Sequence, residues 1–203
     1  MSALAPIKPY FKYSMDLQQS SPVVAYYLKL HGVNKGFDLI KSNPAAGTPE
    51  VKTFLMGELG ELEKLKKQLG EGSKEDHAYH VENFVLSYFA KVDKDERTCE
   101  TVTKLNAVDF KKVSDFIGML TIFKPLDNEW QEREKYSKFK AGNILKCLKN
   151  GEEPQRGNPF AKEEETLPEE NGQEEEKGDH PMMSQNTQNS QNFAPTPMPQ
   201  TLP

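Results

Sequence analysis

The apolar positions of residues 21–37, SPVVAYYLKLHGVNKGF, recur with the spacing of a helix rather than of a strand. They form stripes with steps of three or four residues, whereas a half-buried strand would alternate with period two. Ser21 suits the N-cap, and Pro22 suits the first helical position because its missing N–H would have no helical partner there. The two neighbouring stripes consist of Tyr26, Leu30, Val33 and Phe37 and of Val23, Val24 and Tyr27. So wide an apolar arc predicts a helix that lies between two others.

The same spacing recurs along the first 150 residues and predicts an all-α fold with no strand. Short connections between the segments favour antiparallel neighbours. The predicted helices cover Ile7–Gln18, a segment from Pro22, Pro49–Leu69, Asp76–Lys91, Glu96–Leu105, Phe110–Leu120 and Asp127–Asn150. These seven helices group as three, a bridging fourth, and three.

Charge divides the chain at about residue 150. Residues 1–150 carry 23 Lys/Arg and 20 Asp/Glu, a net charge of +3, whereas residues 151–203 carry 3 and 11, a net charge of −8. The second part contains runs of glutamate, an Asn/Gln tract and a proline-rich end, and has few apolar residues. Such a segment buries too little carbon to offset the entropy of ordering it. A disordered acidic tail is therefore predicted for residues 151–203.

Catalytic chemistry finds little support in the sequence. No nucleophile elbow, phosphate loop or cysteine signature is present, and Cys99 and Cys147 are interpreted as reduced thiols of a cytoplasmic protein. His77 and His80 are three residues apart on a predicted helix, but no third metal ligand has a recognisable spacing. We therefore expect no enzyme, cofactor or metal. Nucleic-acid binding is not expected either, because the structured part is only slightly basic.

A protein-binding surface is the remaining hypothesis. The predicted third helix carries Leu55, Leu59 and Leu62 beside Glu58 and Glu61. Most of these leucines suit an ordinary core, yet three helices cannot enclose every apolar stripe of this region. A groove between the second and third helices would accept an amphipathic helix, and acidic residues at its rim would orient a basic partner.

Several ordered stretches resemble the Vta family of vacuolar trafficking proteins, which includes the LYST-interacting proteins. These are SPVVAYYLKLHGV, TPEVKTFL followed by LEKLKKQLG, HVEN, and KYSKFKAGNILKCLKNGEEPQ. The resemblance covers roughly residues 5–157. It implies two tandem MIT modules, each a three-helix bundle, joined by an additional helix. The implied bounds are 5–70 for the first module, 74–92 for the bridging helix and 95–150 for the second module.

The resemblance also implies a function in endosomal sorting, at the cytoplasmic face of the endosomal membrane. In the family, the modules bind C-terminal helices of CHMP-type ESCRT-III subunits, and the protein regulates the AAA ATPase of the ESCRT pathway. The positions that match the first module's groove include Leu55, Leu59 and Leu62, with Glu58 and Glu61 at the rim. Tyr136 and Phe139 match the second module.

Family members usually end in a short helical domain that dimerises and docks on the ATPase. Here no helical pattern follows Gly151. Dimerisation and direct contact with the ATPase are therefore not expected of this chain. Two alternatives to the adaptor remain at this stage, namely a direct ATPase cofactor acting through another segment and a generic helical scaffold.

Overall fold

Helices account for most of the computed structural model, which describes residues 4–69 and 72–157. All the regular structure in these two ranges is helical, so the predicted all-α class is confirmed. The described helices are α1 (Lys8–Leu17), α2 (Pro22–Ser42), α3 (Pro49–Gln68), α4 (Lys74–Thr98), α5 (Lys104–Met119) and α6 (Asn128–Asn150). Short 3-10 turns cover Pro44–Ala46 and Leu120–Ile122.

The ends of the helices follow local signals in the sequence. Pro22 occupies the first turn of α2, as predicted. The Thr48 hydroxyl accepts the Val51 N–H at 3.4 Å and caps α3. Gly151 has a φ of 74°, a left-handed conformation that glycine adopts without a steric penalty, and it ends α6. The predicted stop at Asn150–Gly151 is therefore correct.

The predicted helix over Glu96–Leu105 is wrong, and the described ranges hold six α-helices rather than seven. Helix α4 continues to Thr98. Val92 and Glu96 are buried on one side of its last two turns, and the ion pairs of Lys91 with Asp95 and of Asp93 with Arg97 add a small stabilisation. The chain then leaves the helix at Cys99, and α5 begins only after Thr103. The bridging helix and the start of the second predicted module thus form one continuous helix.

Two groups of helices share a single apolar core. Helix α2 packs against α1 and α3, and α5 packs against α4 and α6, while α2 also contacts α4 and α5. Buried apolar side chains from all six helices belong to one cluster, and the described residues lie within one compact unit. The division into modules at 5–70, 74–92 and 95–150 stays a prediction.

Residues 152–157, called here the C-terminal strap, fold back across the end of α4. The Lys140 ammonium on α6 pairs with the Glu96 carboxylate at 2.6 Å and donates to the Gln155 carbonyl at 2.7 Å. The Gly157 N–H donates to the other Glu96 oxygen at 3.1 Å, and the Arg156 guanidinium donates to the Glu100 carbonyl at 2.9 Å. These residues were predicted to belong to the disordered tail, but Pro154 and Gly157 are buried, and Gln155, Arg156 and Gly157 bond to α6, α4 and the turn that follows α4. Residues 158–203 of the predicted tail lie outside the described residues.

Candidate binding grooves

Helices α2 and α3 form an antiparallel pair in close contact. A Cβ atom added to Gly36 would lie 2.6 Å from a methyl carbon of Leu55, so glycine at this position allows the two helices to approach closely. The Lys29 ammonium pairs with the Glu58 carboxylate at 2.5 Å. The contact at Gly36 and Leu55 and the contact at Lys29 and Glu58 run in opposite directions along the two helices, as expected of an antiparallel pair.

One side of this pair presents apolar side chains to solvent. Each residue of an α-helix is rotated by about 100° from the one before it. In an antiparallel pair, the residue directly after a contact residue therefore lies on the same side of the pair on both helices. These residues are Leu30 and Phe37 on α2 and Met56 and Leu59 on α3, and the apolar surface that they form on this side of the pair is called here the α2–α3 groove. Phe37 is 40% exposed and Met56 is 63% exposed, while Leu30 and Leu59 are half-buried. The groove therefore offers apolar surface that the described residues leave uncovered.

The residues predicted for this groove lie at different depths. Leu55 and Leu62 are buried in the chain's own core, whereas Leu59 is half-buried at the groove. The Glu58 carboxylate is engaged by Lys29, and the Glu61 carboxylate by Lys64 at 2.6 Å. Leu55 and Leu62 thus support the groove from below, and both acids already have partners within the chain.

A second groove runs between α4 and α6. It has a volume of about 330 Å³ and is lined by Phe89, Asp93, Arg97, Glu129, Glu132, Arg133 and Tyr136. The Tyr136 hydroxyl donates to Asp93 at 2.6 Å, and its ring packs edge-on against Phe89. The Arg133 guanidinium lies over the Phe89 ring at 5.9 Å. This α4–α6 groove therefore combines an aromatic floor with charges of both signs.

Tyr136 is held in its neutral form by these surroundings. Burial, and next the hydrogen bond to the Asp93 carboxylate, raise the pKa of its phenol well above the ordinary value. Arg97 holds the other Asp93 oxygen at 2.9 Å. The phenol is thus a fixed hydrogen-bond donor, and its position in the groove is set by α4.

Phe139 lies one turn beyond Tyr136 on α6 and is 39% exposed. The two site residues predicted on α6 therefore differ in exposure. Tyr136 is largely buried at the groove, whereas Phe139 is partly exposed to solvent. Sequence reasoning missed Met56 and Phe89. Met56 directly follows Leu55 of the leucine stripe of α3. An apolar residue beside the stripe, at a position expected to face solvent, is the signal that could have identified it as a groove residue.

His77, one of the two histidines considered as metal ligands, contacts Tyr27 of α2. His77 Nδ1 lies 3.2 Å from the Tyr27 hydroxyl, and the two rings meet edge-on. Across residues 4–69 and 72–157, no three His, Cys, Asp or Glu side chains are grouped as ligands of one ion. No helix in these ranges is both long enough and apolar enough to cross a bilayer.

This architecture is an all-helical bundle whose six described α-helices share one apolar core. The model of the family described as "Vta1 like" matches residues 6–150. The vacuolar protein sorting-associated protein VTA1 homologue of Homo sapiens is 33% identical to the chain, over 98% of the chain and 67% of the relative. The Mus musculus homologue is 34% identical, over 84% of the chain and 58% of the relative.

A plant relative is also similar. The Arabidopsis thaliana protein named homologue of mammalian LYST-interacting protein 5 is 34% identical over 74% of the chain and 34% of its own length. The chain therefore spans about two thirds of the human relative and about one third of the plant relative. Most of the chain matches the family model, so the chain belongs to the Vta1-like family of vacuolar protein sorting proteins. The names of the human and mouse relatives describe vacuolar protein sorting.

Proposed function

We propose that this protein is a non-enzymatic adaptor of endosomal sorting that binds the C-terminal helices of CHMP-type ESCRT-III subunits. The observation that carries the proposal is the uncovered apolar α2–α3 groove in a member of the Vta1-like family. An amphipathic helix would place its apolar face against Phe37, Met56 and Leu59. The protein would act at the cytoplasmic face of the endosomal membrane as a peripheral component.

The expected affinity is modest. Burying one large aliphatic side chain contributes about 1.5–3 kcal/mol. Two or three such anchors contribute about 3–9 kcal/mol before the free energy of ordering the peptide is subtracted, so we expect a Kd of about 1 μM or weaker. Lys52 and Glu63 lie one turn from Met56 and Leu59 and are exposed. A partner helix with charges of both signs would therefore be oriented by this rim.

The α4–α6 groove is proposed as a second site for an ESCRT-III segment. Its aromatic floor would contact an apolar side chain, and Glu129 and Glu132 would face basic residues of the partner. Phe139 would extend the contact by one turn. Two sites on one chain would allow a single adaptor to hold two tails, or two parts of one tail, with a higher effective concentration.

The α2–α3 groove is tested by Met56→Asp, with Thr53→Asp as a matched control. Both residues are exposed on α3, and Thr53 is not among the residues that define the groove. Because Met56→Asp places a carboxylate on the apolar contact, we expect CHMP-type tail peptides to bind at least about tenfold more weakly. Fluorescence anisotropy with labelled peptides measures this, and circular dichroism confirms the fold of both variants.

Unchanged affinity of a folded Met56→Asp variant would contradict the assignment of the groove. If the wild-type chain binds none of the tail peptides, the generic helical scaffold becomes the better hypothesis. Regulation of the ATPase is proposed from the family alone. A pull-down with the purified ATPase, followed by an ATP hydrolysis assay with and without tail peptides, separates direct contact from an effect that requires ESCRT-III.

A further inference from the structure

A third concave site lies where α1, α2 and α5 meet, away from both grooves. Its volume is about 630 Å³, within the range of sites that hold small ligands or a few side chains. Ile7, Tyr10 and Leu39 supply apolar surface, while Lys35 of α2 and Lys111 of α5 supply ammonium groups. We call this site the α1–α2–α5 cavity.

Asp115 brings an incompletely satisfied carboxylate to the cavity. Its side chain is largely buried, and its Oδ1 accepts from the Tyr10 hydroxyl at 3.3 Å and from the Lys111 ammonium. Its Oδ2 is buried and has no hydrogen-bond partner among residues 4–69 and 72–157. A buried acceptor without a donor is unfavourable. A ligand that supplied a donor here would remove this penalty.

The ammonium groups are available to an anion. Lys35 is exposed and makes no ion pair within the described part of the chain. The Lys111 side chain is 59% exposed, so it can turn from Asp115 toward a ligand. The carboxylate of Asp38 also lines the cavity, which makes the set of four charged groups neutral. A simple anion would therefore meet repulsion as well as attraction.

We propose that the α1–α2–α5 cavity binds the carboxyl-terminal residue of a partner polypeptide that ends in an aliphatic side chain. Such a residue carries an N–H donor, a carboxylate and an apolar group within a few bonds of one another. The N–H would donate to Asp115, the carboxylate would pair with Lys35 and Lys111, and the side chain would pack on Ile7 and Leu39. This arrangement gives a partner to both ammonium groups, to the unpartnered oxygen of Asp115 and to the apolar wall of the cavity.

Titration of the ¹⁵N-labelled full chain with acetyl-Gly-Ala-Leu as the free acid tests the proposal. We expect saturable shifts of the Lys35 and Leu39 amide signals, and binding at least about tenfold weaker for the same peptide with a C-terminal amide. Lys35→Glu should weaken binding of the free acid by a similar factor. The matched control Lys41→Glu, an exposed lysine on α2 that does not line the cavity, should leave it unchanged.

Asp115→Asn should also weaken binding. If the Asn oxygen keeps the bond to Tyr10, an NH₂ group replaces the unpartnered oxygen and cannot accept the N–H of the ligand. Equal binding of the acid and the amide, or no shift at ligand concentrations on the order of millimolar, would overturn the proposal. Equal binding of inorganic phosphate at the same residues would identify a simple anion site and would overturn it too. Binding of acetyl-Ala-Glu-Leu amide as tight as that of the free acid would show that a terminal carboxylate is not required.

Discussion

The buried ion pair between α4 and α6 gives the sharpest test of how this fold is stabilised. Lys140 and Glu96 are each at most 1% exposed, and their charged atoms lie 2.6 Å apart. Replacing Lys140 by Met keeps much of the apolar stem but removes the ammonium. Glu96 would then be a buried carboxylate whose remaining donor is the Gly157 N–H. The Gln155 carbonyl would lose its lysine donor as well.

The expected loss is large for a single substitution. Removing one partner of a buried ion pair costs about 3–5 kcal/mol, because the other charge remains in a medium of low dielectric constant. With a urea m-value of about 2 kcal/mol per M, a loss of about 4 kcal/mol would lower the unfolding midpoint by about 2 M. Trp130 is the only tryptophan of the chain and is buried at the start of α6, so its fluorescence reports on this region.

The matched control is Lys138→Met on the same helix. The Lys138 side chain is 59% exposed and pairs with Glu134 at 2.7 Å, and an exposed pair of this kind contributes less than about 1 kcal/mol. The double variant Glu96→Leu with Lys140→Met removes both charges and should recover most of the loss. The reasoning is refuted if Lys140→Met and Lys138→Met destabilise the protein equally, or if the double variant is as unstable as Lys140→Met alone.

Two further predictions concern pH and helix propensity. Burial, and next the charge of Lys35, lower the pKa of His31 from 6.5 to about 4 in the folded protein. Between pH 6.5 and pH 4 the unfolded chain therefore binds more protons than the folded chain, so stability falls as the pH drops through this window. The wild type should lose about 3 kcal/mol more than His31→Gln between pH 7 and pH 4 in urea titrations, and equal losses would contradict this. Gly57 and Gly60 have open space where a Cβ atom would lie, so each change to Ala should raise the free energy of unfolding by about 1 kcal/mol, and a lower midpoint would show that the bare backbone is needed.

Local signals in the sequence were sufficient for most helices. The stripe that ends at Phe37 predicted α2, and Gly151 predicted the end of α6, because helix periodicity and a left-handed cap depend on residues close in the chain. The break before α5 also had a local signal. The Thr103 hydroxyl and the Asn106 side chain form a capping box, which identifies the true start of that helix.

Contacts between distant residues were beyond such reasoning. Glu96 was predicted at the start of a helix, and nothing near it in the sequence indicated that it is fully buried and paired with Lys140, 44 residues later. Leu55 and Leu59 were indistinguishable by period, since both fall on the apolar stripe of α3. Only the close approach of Gly36 to Leu55 shows which leucine is buried and which borders the groove.

The buried ion pair also bears on the shape of the α4–α6 groove. Tyr136 and Asp93 are joined at the groove, and Lys140 and Glu96 are joined one turn further along both helices. Helices α4 and α6 both pack on α5, so these two side-chain bridges fix the separation between α4 and α6 at this end. The C-terminal strap completes the second bridge through Gln155 and Gly157. A groove held open to a fixed width needs less reorganisation on binding, so the polar pairs that stabilise the fold also preorganise the proposed second site.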